Sequence, residues 1–244
     1  MKVYHSRVGE SGNALNKMLA AHQWQPVNIP VLQISEGHQA PQLTSFNLQP
    51  DCLIVTSRHV VPYLQKYLPA MQWAKLKTVA VAAVGQGTAN ALQKAGFTQI
   101  FVPEEQTSEG LLTLTCITSA KDAVLFKGEQ GRDKISQSLQ LAKQKLTTYN
   151  VYKRQWLHLS NKQLQHIKQA DIFVLTSGEI ALTLHRQLSQ NGISITDKLC
   201  LVPSSRICDL LSLNGFTQLV NLNTAANVTV MDYLKNLKGD ANEQ

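Results

Sequence analysis

Four short stretches of the chain carry residues suited to holding anions or moving a proton. In Val84-Gly85-Gln86-Gly87-Thr88-Ala89, two glycines follow an apolar run and open a helical pattern. Glycine lets the backbone come close to a ligand, and a helix N-terminus offers unpaired N–H groups to an anion. A purely structural tight turn reads the same way. The third glycine of a dinucleotide fingerprint is missing, with Asn90 in its place, which argues against a nicotinamide cofactor. Thr56-Ser57 and Thr176-Ser177 each close an apolar run. Hydroxyls at the carboxyl ends of parallel strands can donate to a carboxylate, or cap the helix that follows. Lys127-Gly128-Glu129-Gln130-Gly131-Arg132 sets two cations around glycines but lacks the GK[ST] ending of a triphosphate loop. Carboxylate or phosphate binding and a bare turn both remain open there. In Val151-Tyr152-Lys153-Arg154 a phenol stands beside two cations. It can act as a hydrogen-bond donor or general acid, or pack as an interface aromatic. No Ser-His-Asp, Cys-His or paired-carboxylate arrangement stands out, and the histidines and cysteines lack metal-ligand spacing, so no metal site is expected.

The elements that must position these residues are written twice. Asp51-Cys52-Leu53-Ile54-Val55-Thr56-Ser57 returns as Asp171-Ile172-Phe173-Val174-Leu175-Thr176-Ser177, and Ala95-Gly96-Phe97-Thr98-Gln99 returns as Asn214-Gly215-Phe216-Thr217-Gln218. One long offset means two copies of a domain rather than a solenoid. Strand-like runs fall at 53–55, 79–84, 100–102, 123–126, 172–175, 199–202 and 219–222, with helical patterns between them. That alternation predicts α/β lobes with parallel sheets flanked by helices. The copies open at Val3 and Val124, each with a strand, a helix and a second strand. Polar or turn-rich segments near 35–50 and 155–162 are the expected crossings between lobes, and residues 238–244 read as a frayed tail.

The net charge is +7, and the ten Lys/Arg against three acids between Lys121 and Lys168 carry the whole excess. Such a field attracts nucleic acid, phosphates or polycarboxylates, although a solvated helix face has the same composition. The N-terminus has no apolar signal-peptide region and no run is long enough to span a membrane, so a cytoplasmic protein is expected. Cys52, Cys116, Cys200 and Cys208 form no CxxC pair and read as inert thiols of a reducing compartment.

Taken in order, these segments resemble the uroporphyrinogen-III synthase family over nearly the whole chain. Residues 81–92, Gly96-Phe97, Val102-Pro103-Glu104 and Thr107–Leu111 are similar to its most recognisable block, and 125–132, 151–154 and 171–178 to later motifs. The resemblance implies two α/β lobes joined by a two-stranded linker, with a cleft between them. One lobe would be 1–34 plus 157–244 and the other 40–150, with linkers at 35–39 and 151–156. It implies a cofactor-independent, monomeric lyase acting on hydroxymethylbilane, a polycarboxylate. By the same resemblance Tyr152 assists loss of water. Arg7, Thr56, Ser57, Gly85, Thr88, Lys127, Gly128, Thr176 and Ser177 contact substrate. Where family members carry a Gly-x-Thr pattern this chain has Pro203-Ser204-Ser205-Arg206, so Ser205, Ser204 or Arg206 takes that place.

Two other classes share some of these features. A two-lobed binding or sensor module for an acidic metabolite would have the same lobes without turnover. Nucleic-acid binding would use the Lys121–Lys168 cations, but that stretch has few aromatics and no binding motif, and no nucleic-acid or membrane partner is expected.

Overall fold

The computed structural model describes residues 1–131 and 133–242. The chain begins β1 (Lys2–His5), α1 (Gly9–Ala21), β2 (Gln25–Asn28), β3 (Leu32–Glu36) and a short 3-10 helix at Ala40–Ser45. It continues β4 (Cys52–Val55), α2 (Val61–Tyr67), α3 (Ala70–Leu76), β5 (Ala80–Ala83), α4 (Gln86–Lys94) and β6 (Ile100–Phe101). Then come α5 (Ser108–Leu111), α6 (Thr115–Thr118), β7 (Asp122–Gly128), α7 (Lys134–Leu141) and β8 (Lys145–Trp156). The last part is α8 (Asn161–Lys168), β9 (Ile172–Val174), α9 (Gly178–Ser189), β10 (Leu199–Val202), α10 (Ser205–Ser212), β11 (Leu219–Asn221) and α11 (Asn227–Asn242).

Two compact units result, one from Met1–Gln33 with Trp156–Gln244, the other from Ile34–Gln155. The chain crosses between them inside β3 and β8, which are neighbouring strands. The first unit holds a parallel sheet in the order β11-β10-β9-β1-β2. The second has the order β3-β8-β7-β4-β5-β6, parallel from β8 to β6. Aligning β4 with β9, as the repeat dictates, puts β6-β5-β4-β7-β8 in register with β11-β10-β9-β1-β2. The same sheet is therefore built twice, and only in the first unit does it draw on both chain ends.

Alternate side chains of each strand feed opposite faces, as a doubly covered parallel sheet requires. Leu53 and Val55 enter one core of the second unit, while Cys52 and Ile54 enter the other. In the first unit Tyr4 and Phe173 lie on one face, Val3, Ile172 and Val174 on the opposite one.

The repeated residues turn out to be backbone fixtures. Asp51 Oδ2 accepts from the N–H groups of Lys121 and Asp122, both at 3.0 Å, and Asp171 Oδ2 accepts from Lys2 N–H at 2.7 Å. Each carboxylate thus pins the start of the neighbouring strand. Thr98 Oγ1 donates to Lys77 O and Thr217 Oγ1 to Thr196 O, both at 3.2 Å. Gly96 and Gly215 follow equivalent helices at φ +92° and +87°, a conformation open to glycine and costly for other residues.

Of the expected frayed tail, residues 238–242 instead continue α11. Lys238 Nζ donates to His22 O at 2.8 Å and lies over the Trp24 ring, which anchors that turn. Arg132 and residues 243–244 lie outside the described residues. Among the described residues no helix is long and apolar enough to cross a membrane.

Candidate active site

In the second unit, five of the strands end on a common edge, and four of them deliver expected residues there: Thr56 and Ser57 after β4, Gly85 after β5, Lys127 and Gly128 at the end of β7, Tyr152 within β8. This is the carboxyl edge, where open parallel sheets bind ligands. Most polar groups on it already have protein partners. Ser57 Oγ accepts from His59 N–H at 3.2 Å and so caps the short turn that follows. Thr56 N–H donates to Phe126 O at 3.3 Å. The Gln86 N–H at the start of α4 donates to the side-chain Oε1 of Gln106 at 3.1 Å. A Cβ on Gly85 would come within 2.4 Å of that same oxygen, so a larger residue there would displace the Gln106 side chain from the start of α4. Thr88, one turn on, is buried. Lys127 is only 7% exposed, and its Nζ donates to Asp133 Oδ1 at 2.7 Å. Asp133 is held below the usual carboxylate range by that ammonium.

Tyr152 owes its place to a break in register. Lys127 pairs with Asn150, but Gly128 pairs with Tyr152, so Val151 is an extra residue in β8. Its carbonyl is taken from the other side by Gly37 N–H at 3.0 Å, while Tyr152 O accepts from Glu129 N–H at 2.9 Å. Bulges re-aim side chains and recur beside active sites. Here the Tyr152 ring lies flat on Gly128: a Cβ on that glycine would sit 2.6 Å from Cζ and 3.0 Å from the hydroxyl oxygen. The His59 ring packs 5.8 Å from it, centre to centre. Burial, with the positive charges of Arg58 and Arg154, holds His59 below its ordinary pKa, so it is neutral beside the phenol at pH 7.

The first unit gathers Arg7 after β1, Thr176 and Ser177 after β9, and Ser205 after β10 on its own carboxyl edge. These groups are far less engaged. Arg7 Nη1 makes one long bond, 3.4 Å to Ser11 Oγ, and its buried Nε and Nη2 have no hydrogen-bond partner among the described residues. Desolvation lowers the Arg7 pKa from its usual value, and the guanidinium remains charged. Ser177 and Ser204 precede α9 and α10 without making capping bonds. Ser205 is exposed as the first residue of α10. Asn227 donates to Ser11 O at 2.9 Å, and its buried Oδ1 has no partner among the described residues.

Within each unit the structure therefore brings the expected residues to one edge. His59, Gln106, Asp133 and Asn227 were not anticipated. They come from segments whose spacing carries no signal, and only strand order places them here. The expected linker segment 151–156 lies wholly inside β8, with Val151 and Tyr152 packed in the second unit's core. Three cations of the Lys121–Lys168 stretch are ion-paired, Lys127 with Asp133, Lys134 with Glu109 and Lys145 with Asp122. All four cysteines are free thiols, Cys52 and Cys200 buried. No three His, Cys, Asp or Glu side chains are placed to hold a metal among the described residues. Two surface cavities of the second unit, about 230 and 290 Å³, contain none of the edge residues.

The family model described as uroporphyrinogen-III synthase HemD matches residues 13–226. Two solved structures are similar along almost their full length. Uroporphyrinogen-III synthetase from Helicobacter pylori is 14% identical, with 97% of this chain and 98% of that chain covered and a TM-score of 0.63. A mutant uroporphyrinogen III synthase from the extremely thermophilic bacterium Thermus thermophilus is 15% identical, with 98% and 99% covered and a TM-score of 0.56. At such identity the two structures speak to the fold alone. No curated protein sequence matches significantly. The match to the family model spans most of the chain, and the chain belongs to the uroporphyrinogen-III synthase family, cyclising lyases of tetrapyrrole biosynthesis.

Proposed function

We propose that this chain closes hydroxymethylbilane to uroporphyrinogen III using the carboxyl edges of its two sheets. The substrate is a linear tetrapyrrole with eight carboxylates. The hydroxymethyl ring loses water, leaving an azafulvene. The terminal ring attacks through its substituted carbon, and the resulting spiro intermediate opens and recloses with that ring inverted. Water is the only other product.

We assign Tyr152 to the departing hydroxyl, as hydrogen-bond donor or general acid, a role generally worth about 10²–10⁴ in rate. Its fixed seat on Gly128 supports that role, since a proton donor acts only from a defined position. Lys127, Thr56, Ser57, Thr88 and the Gly85 turn on one edge, with Arg7, Thr176, Ser177 and Ser205 on the other, are assigned to carboxylates and pyrrole N–H groups. Much of the remaining work is orientation, which can supply roughly 7–11 kcal/mol in favourable cases. The half-buried guanidinium of Arg7, whose Nε and Nη2 have no partner among the described residues, is the observation that most directly calls for an anion. We further read residues 1–34 plus 157–244 and 40–150 as the two functional lobes, and the protein as a cytoplasmic monomer requiring no cofactor.

The test is the isomer formed. Hydroxymethylbilane is given to the purified, metal-depleted protein, the products are oxidised, and type I and type III uroporphyrins are separated by chromatography. Predominantly type III is expected. Type I alone, at the rate seen in buffer, overturns the assignment and leaves a binding module for an acidic metabolite.

A further inference from the structure

The backbone that carries Arg7 out of β1 is held by a closed ring of side chains. His5 is wholly buried, and its Nε2 lies 2.7 Å from Asn16 Oδ1. Asn16 Nδ2 donates to Asn28 Oδ1 at 3.2 Å. Asn28 Nδ2 closes the ring 3.1 Å from His5 Nδ1, and also reaches the carbonyls of His5 at 3.1 Å and Arg7 at 2.9 Å. The ring draws one residue each from β1, α1 and β2. Gly12 completes it: a Cβ there would be 2.5 Å from the Arg7 carbonyl oxygen, so α1 approaches that peptide more closely than any side chain would allow.

The chemistry of the amides fixes the protons. The Asn16 oxygen can only accept, so Nε2 carries the hydrogen; in the neutral ring Nδ1 is then bare and faces the Asn28 amide, whose two hydrogens it shares with the carbonyls of His5 and Arg7. The imidazole is neutral, which suits its burial and the nearby charge of Arg7. The two asparagines use both nitrogens of the imidazole, and neither of them bonds the guanidinium. What is restrained is the Arg7 main chain, next to a cation whose Nε and Nη2 are unsatisfied. Restraint of that kind removes ordering cost from a later binding event.

We propose that His5, Asn16 and Asn28 are positioning residues for Arg7, fixing the main chain from which its guanidinium projects as a receptor for one substrate carboxylate. This rests on the assignment of Arg7 to substrate made above.

The experiment is a double-mutant cycle read by steady-state formation of type III product, with thermal melting as the folding control. Arg7→Ala is expected to raise KM by about 30-fold or more, as loss of a desolvated charge pair does. Asn28→Ala is expected to raise KM about tenfold with kcat within about twofold, the effect of a misplaced contact. In the Arg7→Ala background Asn28→Ala adds nothing, because residues acting through one contact are not additive. His5→Gln, which offers a donor and an acceptor without a charge, keeps KM near wild type, whereas His5→Ala behaves like Asn28→Ala. Should Asn28→Ala fail to fold, Asn16→Ala opens the same ring from its helix side. An equal rise in KM with and without Arg7, or no rise in a folded variant, overturns the positioning role. An unchanged KM in Arg7→Ala overturns the carboxylate assignment itself.

Discussion

The two carboxyl edges are built on the same strand order yet stand in different states. In the second unit Ser57 caps a turn, Gln106 covers the start of α4, Asp133 neutralises Lys127 and Tyr152 is clamped on Gly128. In the first, Ser177 and Ser204 cap nothing, and Arg7 keeps two buried donors without partners among the described residues. A buried unpaired donor is unfavourable by about 1–3 kcal/mol, more when charged, so the first edge holds free energy that an anion can release. The frame is shared, and the two edges differ in how far their polar groups are already satisfied by protein partners.

The sharpest way to break this contrast is Tyr152→Phe. With the hydroxyl in the role proposed for it, turnover to the type III isomer is expected to fall about 10²-fold with an unchanged melting curve. Undiminished turnover would make Tyr152 a packing residue like its neighbour Val151. Next come the paired serines. Ser57→Ala is expected to lower stability by about 1 kcal/mol through loss of a cap. Ser177→Ala is expected to leave stability within about 0.5 kcal/mol while raising KM several-fold. Equal melting losses in both variants would erase the distinction between cap and contact.

Asp133→Asn probes the second edge differently. If Asp133 stands where a substrate carboxylate will go, releasing Lys127 lowers KM by about two- to fivefold, the range of an ion pair screened by solvent on its carboxylate side. A higher KM would make Asp133 part of the binding surface instead. The smallest effect is on pH. His5 in the first unit and His59 in the second both have folded-state pKa values below their ordinary one. Folding therefore favours the neutral imidazoles. Stability is complete above about 6.5 and declines as the pH falls through that value toward the lower folded values. Denaturant titrations between pH 7.5 and about 5 should show this decline, and His5→Gln should flatten the first unit's share.

The repeat was legible because its residues answer local backbone needs. Gly96 and Gly215 must take positive φ, Asp51 and Asp171 must pin a strand start, and Thr98 and Thr217 must close a loop. Such needs survive duplication and leave the same letters twice. The strands were legible for a related reason, since a parallel sheet covered on both faces demands unbroken apolar runs. What decides the site is different in kind. The Val151 bulge depends on register between β7 and β8. The contact of Gln106 with Gly85 depends on β6 pairing with β5, and that of His59 with Tyr152 on β4 and β8 flanking β7, though far apart along the chain. Nothing in local spacing records those distances, and Thr56 and Ser57 read equally well as cap or contact.

Strand order also sets the schedule of synthesis. The second unit is continuous and can be completed while its C-terminal neighbours are still unmade. β1 cannot: it pairs with β9, and Lys2 meets Asp171 across a separation of 169 residues. At ordinary elongation rates the first strand waits about 10–30 s on the ribosome for its partner. Through that interval Val3 and Tyr4 are apolar surface on a nascent chain. A premature stop before β9 would therefore yield a folded second unit carrying a β1-α1-β2 segment whose first strand keeps β2 but leaves its β9 edge open, a species suited to chaperone capture or aggregation rather than to partial activity.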